Sequence, residues 1–443
     1  MLDPSLYLLC DGRTMSDLRQ DADAHRILTR DSETLLPVYA RYPVVMDYGR
    51  GVHLYDTSGN KYLDLMAGLG VNALGHAHPR MVAAMADQAS KLVHLSPLYA
   101  SRYPGELAER LCHLSGLKGV FYSTGGSEAV EGALKLARTH ARQNFSHAKH
   151  DIVALRNSYH GRTYGSLSVT GQEKYRLDFG PGLPHVTFVD RNDLDQLRSA
   201  VTNETAAILI EPILGEGGVY IIDDAFLLEA RRLADKHHAL LIFDEIQCGL
   251  GRTGEWFAYT RSNVQPDALI LGKPLGGGLP LSALLVNEDL FNSFGMAKHG
   301  STLGGSPLAC RLGLEFLQIV EDEALLAQVT DTGAYLLDQL HHLAAQIPTA
   351  VEARGRGLLL GLELTEPARP IAEAALTQGL MVNIVQGNVL RFLPSFLLQR
   401  EQINTAIDIL SRILNTGAAK ITISAAGQGL SPSPAESLEP ATV

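Results

Sequence analysis

Lysine is scarce in this chain: only ten occur among 443 residues. Lysine and arginine together number 37 against 48 acidic residues, so the formal net charge is −11. No basic stripe runs along any segment, which argues against a nucleic-acid partner. Cysteine is also rare, with four residues at Cys10, Cys112, Cys248 and Cys310. None forms a Cys-x-x-Cys pair, and their spacing suits neither zinc nor a disulfide framework. A reducing, cytoplasmic setting follows from that. Sixteen histidines are present, yet no His-Glu-x-x-His or related spacing stands out, so no metal is expected. No apolar run is long enough to cross a bilayer, so no membrane partner is expected. The start, Met1-Leu-Asp-Pro-Ser, lacks the basic region of a secretory signal.

What is present is the balance of a globular enzyme: 46% hydrophobic and 19% charged residues, enough chain for two or three domains. Residues 1–30 show no strong periodicity and read as weakly ordered or partly helical. Residues 31–80 follow as the first part of a small domain. Within them, Val52 to Asp56 and Lys61 to Met66 alternate around Thr57-Ser-Gly-Asn60, which predicts a hairpin. Residues 79–92 and 104–115 carry helical spacing. From about 118 the pattern repeats strand, glycine turn, helix. The strands are Gly119 to Ser123, Ile152 to Leu155, Ala207 to Ile210, Ala239 to Phe243 and Ala268 to Leu271. Such alternation predicts an α/β fold: a large domain, residues 81–315, with a mostly parallel sheet flanked by helices. A long helical stretch over 311–346 is expected to lead into a smaller α+β domain, 316–418. The last residues, 419–443, are rich in Ser, Pro, Ala and Gly and read as disordered.

Ligands bind at the carboxyl ends of the strands in parallel sheets, and the residues that carry chemistry fall there. Lys273 stands where an apolar strand, Ala268-Leu-Ile-Leu, breaks into Gly272-Lys-Pro-Leu-Gly-Gly-Gly278. A partly desolvated lysine loses some basicity and becomes a usable amine near neutral pH. Asp244 ends the apolar run 239–243. An amine and a carboxylate at two buried strand ends suit pyridoxal 5′-phosphate (PLP). The amine holds the cofactor covalently, and the acid keeps the pyridine nitrogen protonated. Gln247 is placed to donate to the ring oxygen. Ser123-Thr-Gly-Gly-Ser127 joins a strand to a helix read as starting at Glu128. Its free N–H groups suit a phosphate, although a plain turn capped by Ser127 fits equally. Arg162 and Arg391 offer guanidinium forks for carboxylates, or for structural ion pairs. Tyr159 suits either a ring lid or a core position. Glu216, beside glycines, is a mobile ligand-facing acid or a solvated one. His160 is read as structural, because Lys273 can carry the proton transfers.

Taken in order, several motifs resemble one family. They are Asn72-Ala-Leu-Gly-His-Ala-His-Pro79, Gly126-Ser-Glu-Ala129, His160-Gly-Arg-Thr163, Glu211-Pro-Ile-Leu-Gly-Glu216, Asp244-Glu-Ile-Gln247, Lys273, Gly300-Ser-Thr-Leu-Gly-Gly305 and Arg391. Over about residues 33 to 415 the chain resembles the class III aminotransferases. The resemblance implies PLP fold type I, PLP as cofactor and a homodimer with shared active sites. It makes Lys273 the Schiff-base lysine and Asp244 the partner of the pyridine nitrogen. Gln247 then sits by the ring hydroxyl, Tyr159 on the ring, and Gly126 and Ser127 at the phosphate. Thr302 reaches the phosphate of the neighbouring subunit. Arg162 and Arg391 bind substrate carboxylates, and Glu216 pairs with Arg391 until 2-oxoglutarate arrives. The acetylornithine branch is the nearest in look, which implies the δ-amine of N2-acetyl-L-ornithine as donor. Tyr159, where that branch usually has Phe, leaves 4-aminobutyrate or another ω-amino acid open. A catalytically silent PLP-fold protein that binds a partner is the alternative outside enzymes.

Overall fold

The structure, a computed structural model, describes residues 22–416. The readings for residues 1–21 and 419–443 lie outside the described residues. Residues 22–34 form a helix, Ala22–Thr34, in keeping with the partly helical alternative for that part of the N-terminal segment.

Seven strands form the main sheet. In spatial order they are Gly119–Ser123, Ser282–Val286, Ala268–Leu271, Leu240–Asp244, Thr205–Ile210, Asp151–Leu155 and Val186–Val189. Six run the same way. Ser282–Val286 alone is antiparallel to its two neighbours. Parallel strands need long crossovers, and helices such as Gly126–Asn144 and Asp224–His237 supply them. Side chains alternate across a sheet, so one face takes the odd residues and the other the even ones. Leu241, Phe243, Leu269 and Leu271 join the larger apolar core. Ile242, Leu240, Ile270 and Ala268 join the second. Both faces are therefore covered, which explains why these strands are unbroken apolar runs rather than alternating ones.

Two four-stranded sheets flank this body. One contains the expected hairpin, His53–Asp56 against Lys61–Asp64, with Gly59 at φ 80° in the turn. Its outer strands are Met46–Arg50 and Leu380–Met381, so N-terminal and C-terminal segments share a sheet. The other comprises Ala350–Arg356, Leu359–Leu364, Val389–Phe392 and Asn383–Val385. The helical stretch expected over 311–346 is two helices, Pro307–Asp322 and Leu325–Gln346. The chain breaks at Ala324, which is left-handed at φ 50°. Among the described residues, no helix is long and apolar enough to cross a membrane.

Candidate active site

The strand Leu240–Asp244 is buried throughout and delivers Asp244 to its carboxyl end. Its neighbour Ala268–Leu271 runs parallel, with Ile270 beside Asp244. Two residues after that strand the chain reaches Lys273, at φ 40° and before Pro274. A non-glycine residue held left-handed is strained, and such strain collects at functional sites. Pro274 adds its own restriction on the residue before it. Lys273 and Asp244 line one cavity of about 370 Å³, together with Thr124 to Ser127, Tyr159, His160, Glu216 and Gln247.

The helix over this cavity is Gly126–Asn144, which starts two residues earlier than read from the sequence. Gly125 takes the cap position, and no side chain caps the end. Its first N–H groups, with the dipole behind them, form a natural anion site. A methyl group at Gly125 would meet nothing within 4 Å, so the backbone there borders open space. Ser127 lies inside the first turn, where its Oγ accepts from the Arg162 N–H at 3.2 Å. It is not the cap of a plain turn.

Asp244 is 3% exposed. Its Oδ1 accepts from the Ile246 N–H, and its Oδ2 lies 2.7 Å from Nδ1 of His160. A carboxylate only accepts, so the proton of that bond sits on Nδ1. His160 Nε2 is buried without a hydrogen-bond partner. Glu211 stands close by and accepts from the Tyr159 N–H at 2.6 Å. Burial pushes the Glu211 carboxyl well above its ordinary value, and Asp244 adds to this, against the N–H groups of Tyr159 and Gly215.

Arg391 is buried behind this wall. Its Nη1 donates to Glu216 Oε1 at 2.6 Å and to Gln247 Oε1 at 3.0 Å, while Nε and Nη2 donate to Asn383. Burial alone would raise the Glu216 carboxyl; Arg391, then Lys273, outweigh that and hold it below its usual value. Desolvation lowers the Lys273 amine; Glu216 opposes this, and Arg391 reinforces it. Gln386 reaches from the small sheet to donate to the Glu216 carbonyl at 2.6 Å and to Gln172 Oε1 at 3.1 Å.

Arg162 is exposed and does not itself line the cavity, although its neighbour Gly161 does; it stacks 3.8 Å over the ring of Tyr175 and lies 5.7 Å from that of Tyr159. Thr302 is not gathered into this cavity. It is exposed and lines a separate depression with Leu98 and Tyr99, which are 89% and 70% exposed. Sequence reasoning treated His160 as structural and passed over Tyr175, Gln386 and Glu245. Asp244 and His160 lie 84 positions apart, and nothing in the spacing links them. The donor set fits PLP: an uncapped helix end for the phosphate, an acid at one side of the cavity and an amine at another.

Residues 37–414 match the family described as aminotransferase class-III. Acetylornithine aminotransferase of Aquifex aeolicus is 43% identical over 381 residues, covering 86% of this chain and 99% of that protein. The Methanocaldococcus jannaschii protein of the same name is 39% identical, over 85% and 95%. Among solved structures, ornithine aminotransferase from Toxoplasma gondii superposes with a TM-score of 0.85 at 32% identity, covering 90% and 96%. Acetylornithine aminotransferase from Elizabethkingia anophelis gives 0.80 at 30% identity, over 89% and 99%. A match across most of the chain, joined to this fold and this cavity, shows that the chain belongs to the class III aminotransferases, PLP-dependent enzymes.

Proposed function

We propose that the chain moves the δ-amino group of N2-acetyl-L-ornithine to 2-oxoglutarate, giving N-acetyl-L-glutamate 5-semialdehyde and glutamate. The observation that carries the reading is one cavity lined by Lys273, Asp244 and an uncapped helix end. PLP bound there supplies an electron sink next to the amine-bearing carbon. The first turn from Gly126, with Ser127, holds the phosphate. Asp244, oriented by His160, keeps a proton on the pyridine nitrogen, and Gln247 serves the ring hydroxyl. Tyr159 packs on the ring. Lys273 holds the cofactor at rest. During turnover its Nζ takes the proton from the donor carbon and later returns one to the acceptor carbon. Burial lowers its basicity, which suits a base that must also be free of its proton near neutral pH.

Arg162 binds the donor carboxylate. Arg391 is neutralised by Glu216 while the donor, which presents no second carboxylate, occupies the site. Glu216 then yields Arg391 to 2-oxoglutarate. A homodimer completes the site, with Thr302 reaching the phosphate of the neighbouring subunit. The exposed Leu98 and Tyr99 beside Thr302 support an interface there.

The names of the two relatives favour acetylornithine. Ornithine or another ω-amino acid is the second reading, favoured by the ornithine aminotransferase among the structural matches. The family match leaves the silent alternative without support. Coupled glutamate formation from acetylornithine, ornithine and 4-aminobutyrate, run side by side, decides. The highest kcat/KM is expected for acetylornithine, and a higher value for either competitor overturns the donor assignment.

A further inference from the structure

Away from the cavity, at the amino ends of the strands, three side chains with metal-binding atoms converge. Asp151 opens the strand Asp151–Leu155, and His150 precedes it. His185 stands just before Val186–Val189, the edge strand of the sheet. Ile152 and Val186 are paired, so Asp151 and His185 occupy facing positions one step earlier. Asp151 Oδ1 lies 3.3 Å from His185 Nδ1 and 3.7 Å from His150 Nε2. The three atoms all fall within 4.8 Å of one another. The two imidazoles meet edge to face with centroids 4.0 Å apart.

Asp151 Oδ1 is shielded from solvent and no hydrogen bond reaches it. A dehydrated carboxylate oxygen is stable only beside a cation. Arg138 and Lys149 act on Asp151 only through space, because their N–H groups are bonded elsewhere. Arg138 donates to the carbonyls of His150 and Pro184, at 3.1 and 2.8 Å. Lys149 donates to the carbonyls of Asn203, Thr205 and His237. The Arg138 bonds also brace the two backbone segments that carry the histidines. Bracing of this kind orients the ligands of a metal site.

Geometry and donor type agree. Ligand atoms bonded at about 2.0–2.1 Å in a tetrahedron stand roughly 3.3–3.4 Å apart. One of the three pairs already has that separation, and side-chain rotation is needed to close the other two. Two imidazoles and one carboxylate suit zinc, cobalt or nickel better than magnesium or calcium. We propose that His150 Nε2, Asp151 Oδ1 and His185 Nδ1 bind one divalent transition-metal ion, with water completing its shell. The ion ties the edge strand to its neighbour at a margin of the sheet that is otherwise open to pairing. No motif announced this site, because its ligands come from two segments joined only by strand pairing.

The full-length enzyme with its cofactor, stripped with a chelator, is titrated with cobalt chloride and followed by the visible d–d bands. Zinc chloride is titrated by calorimetry in parallel. One equivalent of cobalt is expected to saturate the bands, and zinc to displace it and raise the thermal midpoint. His185→Ala should weaken zinc binding by about tenfold or more and remove the thermal shift. Its transamination rate should stay at the wild-type level, since the cluster and the cavity occupy opposite ends of the strands. Asp151→Asn, nearly isosteric, should repeat the loss of binding. A wild-type protein with no saturable cobalt band overturns the proposal. So do variants that bind zinc as tightly as the wild type.

Discussion

Removing Glu216 is the sharpest perturbation of the acceptor side. Its carboxylate lies 2.6 Å from Arg391 Nη1; its side chain is 23% exposed, that of Arg391 1%. At an effective dielectric near 20 the bare attraction is about 6 kcal/mol. Dehydration offsets most of that, since buried pairs are poor net stabilisers. A residual preference of about 1.4–2.8 kcal/mol for the closed pair leaves Arg391 free in roughly one molecule in ten to one in a hundred. The acceptor must pay that penalty before its second carboxylate can dock. In Glu216→Ala it is gone, so the KM for 2-oxoglutarate should fall by about tenfold or more. The donor half-reaction should move the opposite way, because Arg391 then faces acetylornithine uncompensated. Single-turnover kinetics of the two half-reactions separate the effects. A KM for 2-oxoglutarate within twofold of the wild type would falsify the view that Glu216 gates Arg391.

Asp244→Asn should lower kcat by about 10²–10⁴-fold, the range of a lost proton-holding group, with a smaller change in cofactor affinity; near-normal turnover would dismiss its role. Tyr175→Ala removes the ring under Arg162. A cation–π contact at an exposed site is worth about 0.5–1 kcal/mol, so the donor KM should rise about two- to fivefold with kcat unchanged. A change in kcat alone would mean that the ring does something else. The Glu245 carboxyl is pushed up to about 8 by burial, against the N–H groups of Ala258 and Tyr259 that it accepts from. The folded protein therefore holds a proton that the unfolded chain has lost. The stability this group confers is complete below about pH 4.3 and disappears as pH climbs through 8. Thermal midpoints between pH 6 and 8.5 should fall more steeply in the wild type than in Glu245→Gln. Equal slopes would place the carboxyl in its ordinary range.

What could be read from residues alone follows from where the physics is local. The main-sheet strands are buried on both faces, so runs such as 239–243 and 268–271 declare themselves without a partner. Lys273 and Asp244 are visible because each interrupts such a run. The hairpin at 53–64 is visible because Gly59 marks its turn. The missed features depend on distant packing. Ala324 breaks a helix with no glycine or proline to signal it. Gly357 turns the strand Ala350–Arg356 back into Leu359–Leu364, and its tight seat against Thr253 is a tertiary contact. The first helix of the large sheet begins at Gly126 rather than Glu128 because the backbone, not a side chain, fills its cap. His160 reads as structural because Lys273 can carry the proton transfers, and a histidine beside glycine says nothing of a carboxylate 84 residues away.

Borohydride reduction of the purified enzyme, followed by peptide mapping, tests the central assignment most directly. The reduced cofactor should be found on the peptide that contains Lys273, and on no other lysine. Cofactor fixed to a different lysine, or a protein that takes up no PLP at all, would contradict it.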